Sequence, residues 1–196
     1  MQPALQTGAN SSVPPYRKRP ACDAEGAKGH AAGILFVAPD GDVLLLRRSG
    51  KEANFAGHWA LPGGGVEEGE TPELGADREV AEEMGVKVHG PKKPLDQRVT
   101  PNGFVFHTFA QPVAEKFAPK LNEEHSGYVW TPLDMLPEPM HPAVKATLTE
   151  RIGGAADMSP EDWQGLRDGF VQWTQEEEAE SEHAEDGGEL EEDRKS

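Results

Sequence analysis

The run "REVAEEMG", Arg78 to Gly85, brings Glu79, Glu82 and Glu83 within five residues of one another. On a helix Glu79 neighbours both of the others, with Cβ atoms about 5–6 Å apart. Two unit charges at ~6 Å repel by roughly 3 kcal/mol at an effective dielectric of 20. Glu82 and Glu83 also fall in the last turn, where the helix dipole favours cations. Breaking two local rules at once points to function. A divalent cation reverses the sign of the argument. Mg²⁺ is hard, prefers oxygen ligands, and binds through a few carboxylates together with waters and phosphate oxygens. "EVAEE" alone also fits an ordinary solvated acidic face, so its surroundings decide.

Three glycines, Gly63 to Gly65, stand just before this segment. They supply a tight loop whose backbone can approach a ligand closely. The whole stretch, "GGVEEGETPELGADREVAEEMGV", runs from Gly64 to Val86. Gly64, Glu70, Arg78, Glu79, Val80, Glu82, Glu83, Gly85 and Val86 fill every position of the Nudix box, so the chain resembles Nudix hydrolases. The flanks "VLLLRR", "HWALPGG" and "EEHSGYVWTPLDMLP" extend the resemblance over about residues 30 to 150.

The resemblance implies hydrolysis of a nucleoside diphosphate linked to another moiety, with Mg²⁺ or Mn²⁺ as cofactor. It implies an α/β/α sandwich around a mixed sheet, an α/β (α+β) fold. Carried onto this chain, Glu79, Glu82 and Glu83 are the metal ligands, and the Gly63 carbonyl can add another. Arg78, paired with Glu70, orients the carboxylates. Bound metal polarises phosphoryl oxygens and acidifies water, and a general base then takes the water's proton. The base is Glu82 within the box, or Glu124 or Glu123 in the later loop "NEEHSGYVW". Arg48 and Gly64 are the candidate ligand-binding residues. Arg47 and Arg48 alternate faces, so one of them points at the site, where it can hold a phosphate. Phe104 and Phe106 are expected in the core, with base stacking as the alternative. His58, His107 and His125 show no metal-ligand spacing and receive no role.

The substrate stays open. Pro101, the fifteenth residue after Val86, sits where ADP-ribose-type members of the family carry proline, yet a turn at "PNG" needs proline anyway. The tyrosine that points to diadenosine polyphosphates is absent, as is the extended motif of NADH-cleaving members. A nucleoside triphosphate remains a candidate. A non-catalytic nucleotide-sensing or assembly module is the alternative to an enzyme.

These residues need a scaffold. Thr71 can N-cap a helix that Pro72 opens. Ala76, Val80 and Met84 recur at i, i+4 and i+8 as a core face distinct from the carboxylates, and Gly85 ends the helix. "AAGILFVA" and "VLLLRR" around "PDGD" read as a hairpin, as do "DQRVT" and "FVFHTFAQPV" around "PNG". "HWALPGGG" is extended. "VKVHG" and "SGYVWTPL" read as strands, and "HPAVKATLTERIG" reads as a helix. Trp163, Leu166, Phe170 and Trp173 form an apolar stripe on a last helix. The stripe is expected to pack on the domain, the alternative being a docked partner. No internal repeat is evident.

Residues 1–28 are expected to be a flexible arm, 29–155 the Nudix domain, 156–178 a C-terminal helix and 179–196 a disordered acidic tail. "RKR" at Arg17 to Arg19 reads as part of the solvated arm. The net charge is −16, of which residues 176–196 contribute −9. That balance argues against nucleic acid as a partner. Cys22 is the only cysteine, which suits a reducing compartment. With no apolar leader and no span of about 20 apolar residues, the expectation is a cytoplasmic protein that contacts no membrane. A homodimer is compatible with this reading.

Overall fold

The computed structural model describes residues 27–87, 90, 92–153, 161, 164–165 and 167–175. Seven strands form one mixed sheet among them: β1 (Gly29–Val37), β2 (Val43–Arg48), β3 (Trp59–Ala60), β4 (Gly63–Gly65), β5 (Lys93–Val99), β6 (Phe104–Pro112) and β7 (His125–Thr131). The order is β3-β2-β1-β6-β5, with β4 also paired to β1 and β7 to β2. Only β1 and β6 run parallel, in register over all nine residues from Gly29↔Phe104 to Val37↔Pro112.

β1 is a continuous apolar run because both of its faces are buried. Ala32, Ile34 and Phe36 pack on one side with Ala76, Val80 and Met84 of helix α1 (Pro72–Met84). Leu35 and Val37 pack on the other with Val144 of α2 (Pro142–Thr147). The result is the α/β/α layering expected from the sequence.

The "PDGD" hairpin exists only at its turn. β1 and β2 share one register pair, Val37↔Val43. β4 takes the first half of that edge of β1 through Ala31↔Gly65 to Gly33↔Gly63, β3 takes the facing edge of β2 through Leu46↔Ala60 and Arg47↔Trp59, and the other edge of β2 pairs along its length with β7. The "PNG" hairpin forms as expected from β5 and β6. No strand forms at Val86 and Lys87, because Gly85 turns the chain and Val86 packs against the α1 side of the core. Val88 and His89 lie outside the described residues.

The helix expected from His141 to Gly153 divides into α2 and a π-helical stretch, Leu148–Gly153. Thr149 Oγ1 donates to the Lys145 and Ala146 carbonyls in this region, a back-bonding that loosens helical geometry. Residues 167–175 are helical. Phe170 is fully buried in the α2-side core, with Trp173 stacked on it at 5.8 Å. Lys93 Nζ lies 3.6 Å from the Trp173 ring centre. Trp163 and Leu166, the other half of the stripe, lie outside the described residues, as do residues 1–26 and 176–196. Among the described residues no helix is long and apolar enough to cross a membrane.

One buried charge ties β5 to the helices. Asp96, with a side chain 1% exposed, accepts hydrogen bonds from Thr147 Oγ1 (2.8 Å), Arg151 Nε (2.8 Å) and Arg98 Nε (2.7 Å). Burial opposes its ionisation, but these donors outweigh burial and hold the carboxyl below the usual carboxylate range. Asp96→Ala leaves two arginines without their buried partner and is expected to cost about 3 kcal/mol in urea unfolding at pH 7. Because the folded-state pKa is depressed, the wild-type advantage is complete above about pH 4 and fades as pH falls further. A variant as stable as the parent at pH 7, or a penalty that persists undiminished at pH 2, contradicts this account.

Candidate active site

The site is built on α1, whose register local chemistry fixes. Thr71 Oγ1 accepts from the Leu74 amide at 3.3 Å, Pro72 opens the helix, and Gly85 closes it in the left-handed conformation at φ 64°. Ala76, Val80 and Met84 are fully buried as expected.

The three glutamates do not share one exposed face. Glu82 has a side chain 60% exposed, Glu79 is half-buried, and Glu83 is 3% exposed. The reason is angular: successive helical residues are about 100° apart, which puts Glu83 about 60° from Val80 and next to Ala76, on the flank that meets the sheet, and Glu82 about 160° from Val80. Its Oε2 accepts from the Gly63 amide at 2.8 Å. Its Oε1 lies 3.7 Å from His125 Nε2. Burial pushes Glu83 up to about 8; the Gly63 amide and Arg48 work against this, while the charges of Glu79 and Glu124 add to it. Glu79 is also raised by burial, with Arg78 opposing and Glu82 and Glu124 adding. Glu124 therefore sits close enough for its field to reach both carboxylates, although its own side chain is exposed.

Arg78 forms the ion pair foreseen with Glu70, Nε to Oε1 at 3.0 Å and Nη2 to Oε2 at 3.2 Å. It also donates to Glu79 Oε1 at 2.8 Å and to the Gly65 carbonyl at 2.7 Å. One guanidinium thus ties the glycine loop, the Glu70 turn and α1 together.

The glycines are required by space. Gly63 has φ 141°, and a Cβ there would stand 2.2 Å from the Ala32 carbonyl oxygen. A Cβ on Gly64 would stand 2.6 Å from both Cδ and Oε2 of Glu79. The loop backbone therefore lies directly on the carboxylates of α1.

These donors fit a hard divalent cation in kind: anionic oxygens, crowded and partly desolvated, beside a close backbone. Among the described residues no three acidic, histidine or cysteine side chains converge on one point. Glu79 is turned to Arg78, Glu83 to the Gly63 amide, and Glu82 to solvent.

A cavity of about 400 Å³ opens against the glycine loop. Arg48 lines it, with Nε on the Asn54 carbonyl and Nη2 on Glu52 at 2.6 Å. Arg47 points away and donates to the Gly57 carbonyl, so the alternation of the strand presents Arg48. Phe104 and Phe106 also line the cavity, and Phe104 is 40% exposed. The expectation of core packing for this pair is corrected, because they fall in neither core cluster. Their places on β6 lie opposite Gly29 and Ala31, which are too small to cover a phenyl ring.

Two histidines escaped the sequence reading. His125 is buried beside Glu83, and burial, then Arg48, pushes it down to about 4. The ring is neutral, since the 3.7 Å approach to Glu83 is too long to offset burial. His141 lines the cavity from the start of α2. A spacing search misses both because their partners come from other elements. His107, given no role, bonds His30 across β1 and β6 at 3.0 Å.

A family profile described as NUDIX domain matches residues 27–152. The chain belongs to this family. It is 32% identical over 127 residues to the nucleoside triphosphatase NudI of Escherichia coli O17:K52:H18, an alignment covering 58% of this chain and 89% of the relative. Among solved structures, the MutT Nudix hydrolase of Burkholderia pseudomallei is 31% identical with a TM-score of 0.53, covering 63% of this chain and 96% of that one. RenU, a Nudix hydrolase of M. smegmatis, is 27% identical with a TM-score of 0.53, covering 63% and 83%. The chain is thus a Nudix pyrophosphohydrolase with the family's box on α1 and its preceding loop.

Gly64→Ala tests the contact between loop and helix. The added methyl must displace the Glu79 carboxylate, and misplacement of this size is expected to lower turnover by about 10²-fold while the circular dichroism spectrum stays unchanged. Full activity in the variant is incompatible with a Glu79 fixed by this loop.

Proposed function

We propose that this Nudix hydrolase cleaves a phosphoanhydride bond of a nucleoside triphosphate, using Mg²⁺ or Mn²⁺. The observation that carries the reading is the buried Glu83, held by the Gly63 amide where the glycine loop opens into the cavity. The similarity to NudI, a nucleoside triphosphatase, supports the substrate class.

Glu79, Glu82 and Glu83, with the Gly63 carbonyl, are the groups that would hold the cation. When bound, the cation neutralises phosphate charge and acidifies water. Arg78 keeps Glu79 and the loop in place for it. Glu124 takes the proton from the attacking water. Glu82 is the weaker nominee for base because Arg78 Nη1 lies only 3.6 Å from it and its side chain faces solvent. Arg48 and the backbone at Gly64 bind the phosphates. Phe104 and Phe106 offer the base a stacking surface. A reducing cytoplasmic setting suits the lone Cys22.

A second reading, a nucleoside diphosphate linked to another group such as ADP-ribose, draws on Pro101. Its neighbours Thr100 and Asn102 line the same cavity. Phosphate and pyrophosphate release from a panel of nucleoside triphosphates and ADP-ribose separates the two. We expect turnover of triphosphates that EDTA abolishes and Mg²⁺ restores. Turnover of ADP-ribose alone transfers the proposal to the second reading. Tight nucleotide binding without any turnover makes the chain a sensing module instead. Glu83→Gln is expected to lower kcat by at least about 10³-fold through loss of the metal. Glu124→Gln is expected to lower kcat by about 10²–10⁴-fold with KM little changed. Unaltered kcat in Glu124→Gln removes it as the base.

A further inference from the structure

A general base must keep its carboxylate free to take a proton, yet hold it within about 0.5 Å of the productive position. Glu124 meets the first demand: its side chain is exposed and forms no hydrogen bond or ion pair among the described residues. Its backbone meets the second. The Glu124 amide donates to Asn122 Oδ1 at 3.0 Å, and its carbonyl accepts from the Ser49 amide at 2.7 Å. The peptides on both sides of the Glu124 Cα are therefore held while the side chain stays available.

Asn122 is in turn fastened to α1. Its amide donates to the Glu83 carbonyl at 2.9 Å, and the Lys120 amide donates to the Met84 carbonyl at 2.9 Å. These carbonyls belong to the last turn of α1, where the helix itself offers them no donor. The half-buried Asn122 thus bonds Glu83 through its main chain and Glu124 through its side chain. A candidate metal ligand and the candidate base, far apart in sequence, are joined by this one residue.

The residue type fits the task. Asn and Asp both form turns in which a side-chain oxygen accepts the amide two residues on. An aspartate here would add a negative charge beside Glu124, whose own charge already acts on Glu79 and Glu83. The carboxamide supplies the same acceptor without charge.

We propose that Asn122 is a positioning residue that fixes Glu124 against the carboxylate end of α1. The inference rests on the reading of Glu124 as the base. Without the Asn122 oxygen, the Glu124 amide loses its anchor and the backbone beneath the base is held by the Ser49 bond alone.

The test is a double-mutant cycle read by steady-state hydrolysis. ATP, GTP, CTP, UTP and ADP-ribose are offered with Mg²⁺ to the parent. The fastest substrate is then used with Asn122→Ala, Glu124→Gln and the double variant. Asn122→Ala is expected to lower kcat at least about tenfold, with KM and the half-saturating Mg²⁺ concentration within about twofold of the parent. In the Glu124→Gln background the same substitution should cost less than about twofold, because residues that act as a unit are not additive. Asn122→Ser, whose hydroxyl can also accept the Glu124 amide, should recover part of the loss. In the wild type, the Glu124 amide should exchange with solvent at least about tenfold more slowly than an unstructured amide. Parent-like kcat in Asn122→Ala, or an equal loss in both backgrounds, overturns the inference, while a low kcat in Glu124→Gln leaves the base in place. Parent-like kcat in Glu124→Gln removes the base and the inference with it. A parent that turns over none of the substrates sinks the hydrolytic proposal and the inference together. Should Asn122→Ala fail to fold, unprotected exchange at the Glu124 amide of the wild type overturns the inference instead.

Discussion

The hydrogen bond from the Gly63 amide to Glu83 is the interaction on which the site depends. A carboxylate that is 3% exposed loses most of its hydration, and near neutral pH this free-energy cost is large unless donors replace the lost water. Here one backbone amide and the field of Arg48 favour the charge, while Glu79 and Glu124 oppose it. The amide is where it is because Gly63 pairs with Gly33 of β1 and lies too close to Ala32 for any side chain. Sheet therefore positions loop, and loop positions carboxylate. The electrostatic debt left on Glu79, Glu83 and Glu124 is what a divalent cation would relieve.

A second constraint follows from the two buried faces of β1. α1 and its carboxylates pack on one side of the sheet, while α2 and Val144 pack on the other. The cavity reaches Val144 and His141, yet it is also lined by Gly63, Gly64 and Gly65. Gly64 lies against Glu79, and the Gly63 amide bonds Glu83. Only backbone separates the cavity from the carboxylate face at this point. A side chain at Gly63 would strike β1 and one at Gly64 would push the Glu79 carboxylate away, so these two glycines join halves that the sheet would otherwise keep apart.

Much of α1 was legible in the sequence because its determinants are local. The Thr71 cap, Pro72, the spacing of Ala76, Val80 and Met84, and the Gly85 stop all act within one or two turns. The Arg78–Glu70 pair was legible too, since both ends belong to one motif. The unequal burial of Glu82 and Glu83 was not. It depends on which flank of the helix meets β1 and β4, and helical spacing alone does not say. Phe104 and Phe106 were assigned to the core by residue type, but their neighbours on β1 are small residues distant in sequence. The hairpin at "PDGD" failed beyond its turn for a similar reason, because β4 takes the facing edge of β1 and β3 takes the facing edge of β2.

The sequence by itself determined the family, the α/β/α class, and the box glutamates and glycine loop from which the proposed metal site is drawn. These rest on residue identities at fixed short spacings, where the chain's own geometry leaves little freedom. Tertiary structure alone decided how deeply each carboxylate is buried, which arginine lines the cavity, and that His125 lies beside Glu83 and His141 in the cavity wall. Those outcomes depend on long-range pairing and on desolvation, and the dielectric around a side chain is set by neighbours that arrive from anywhere in the sequence.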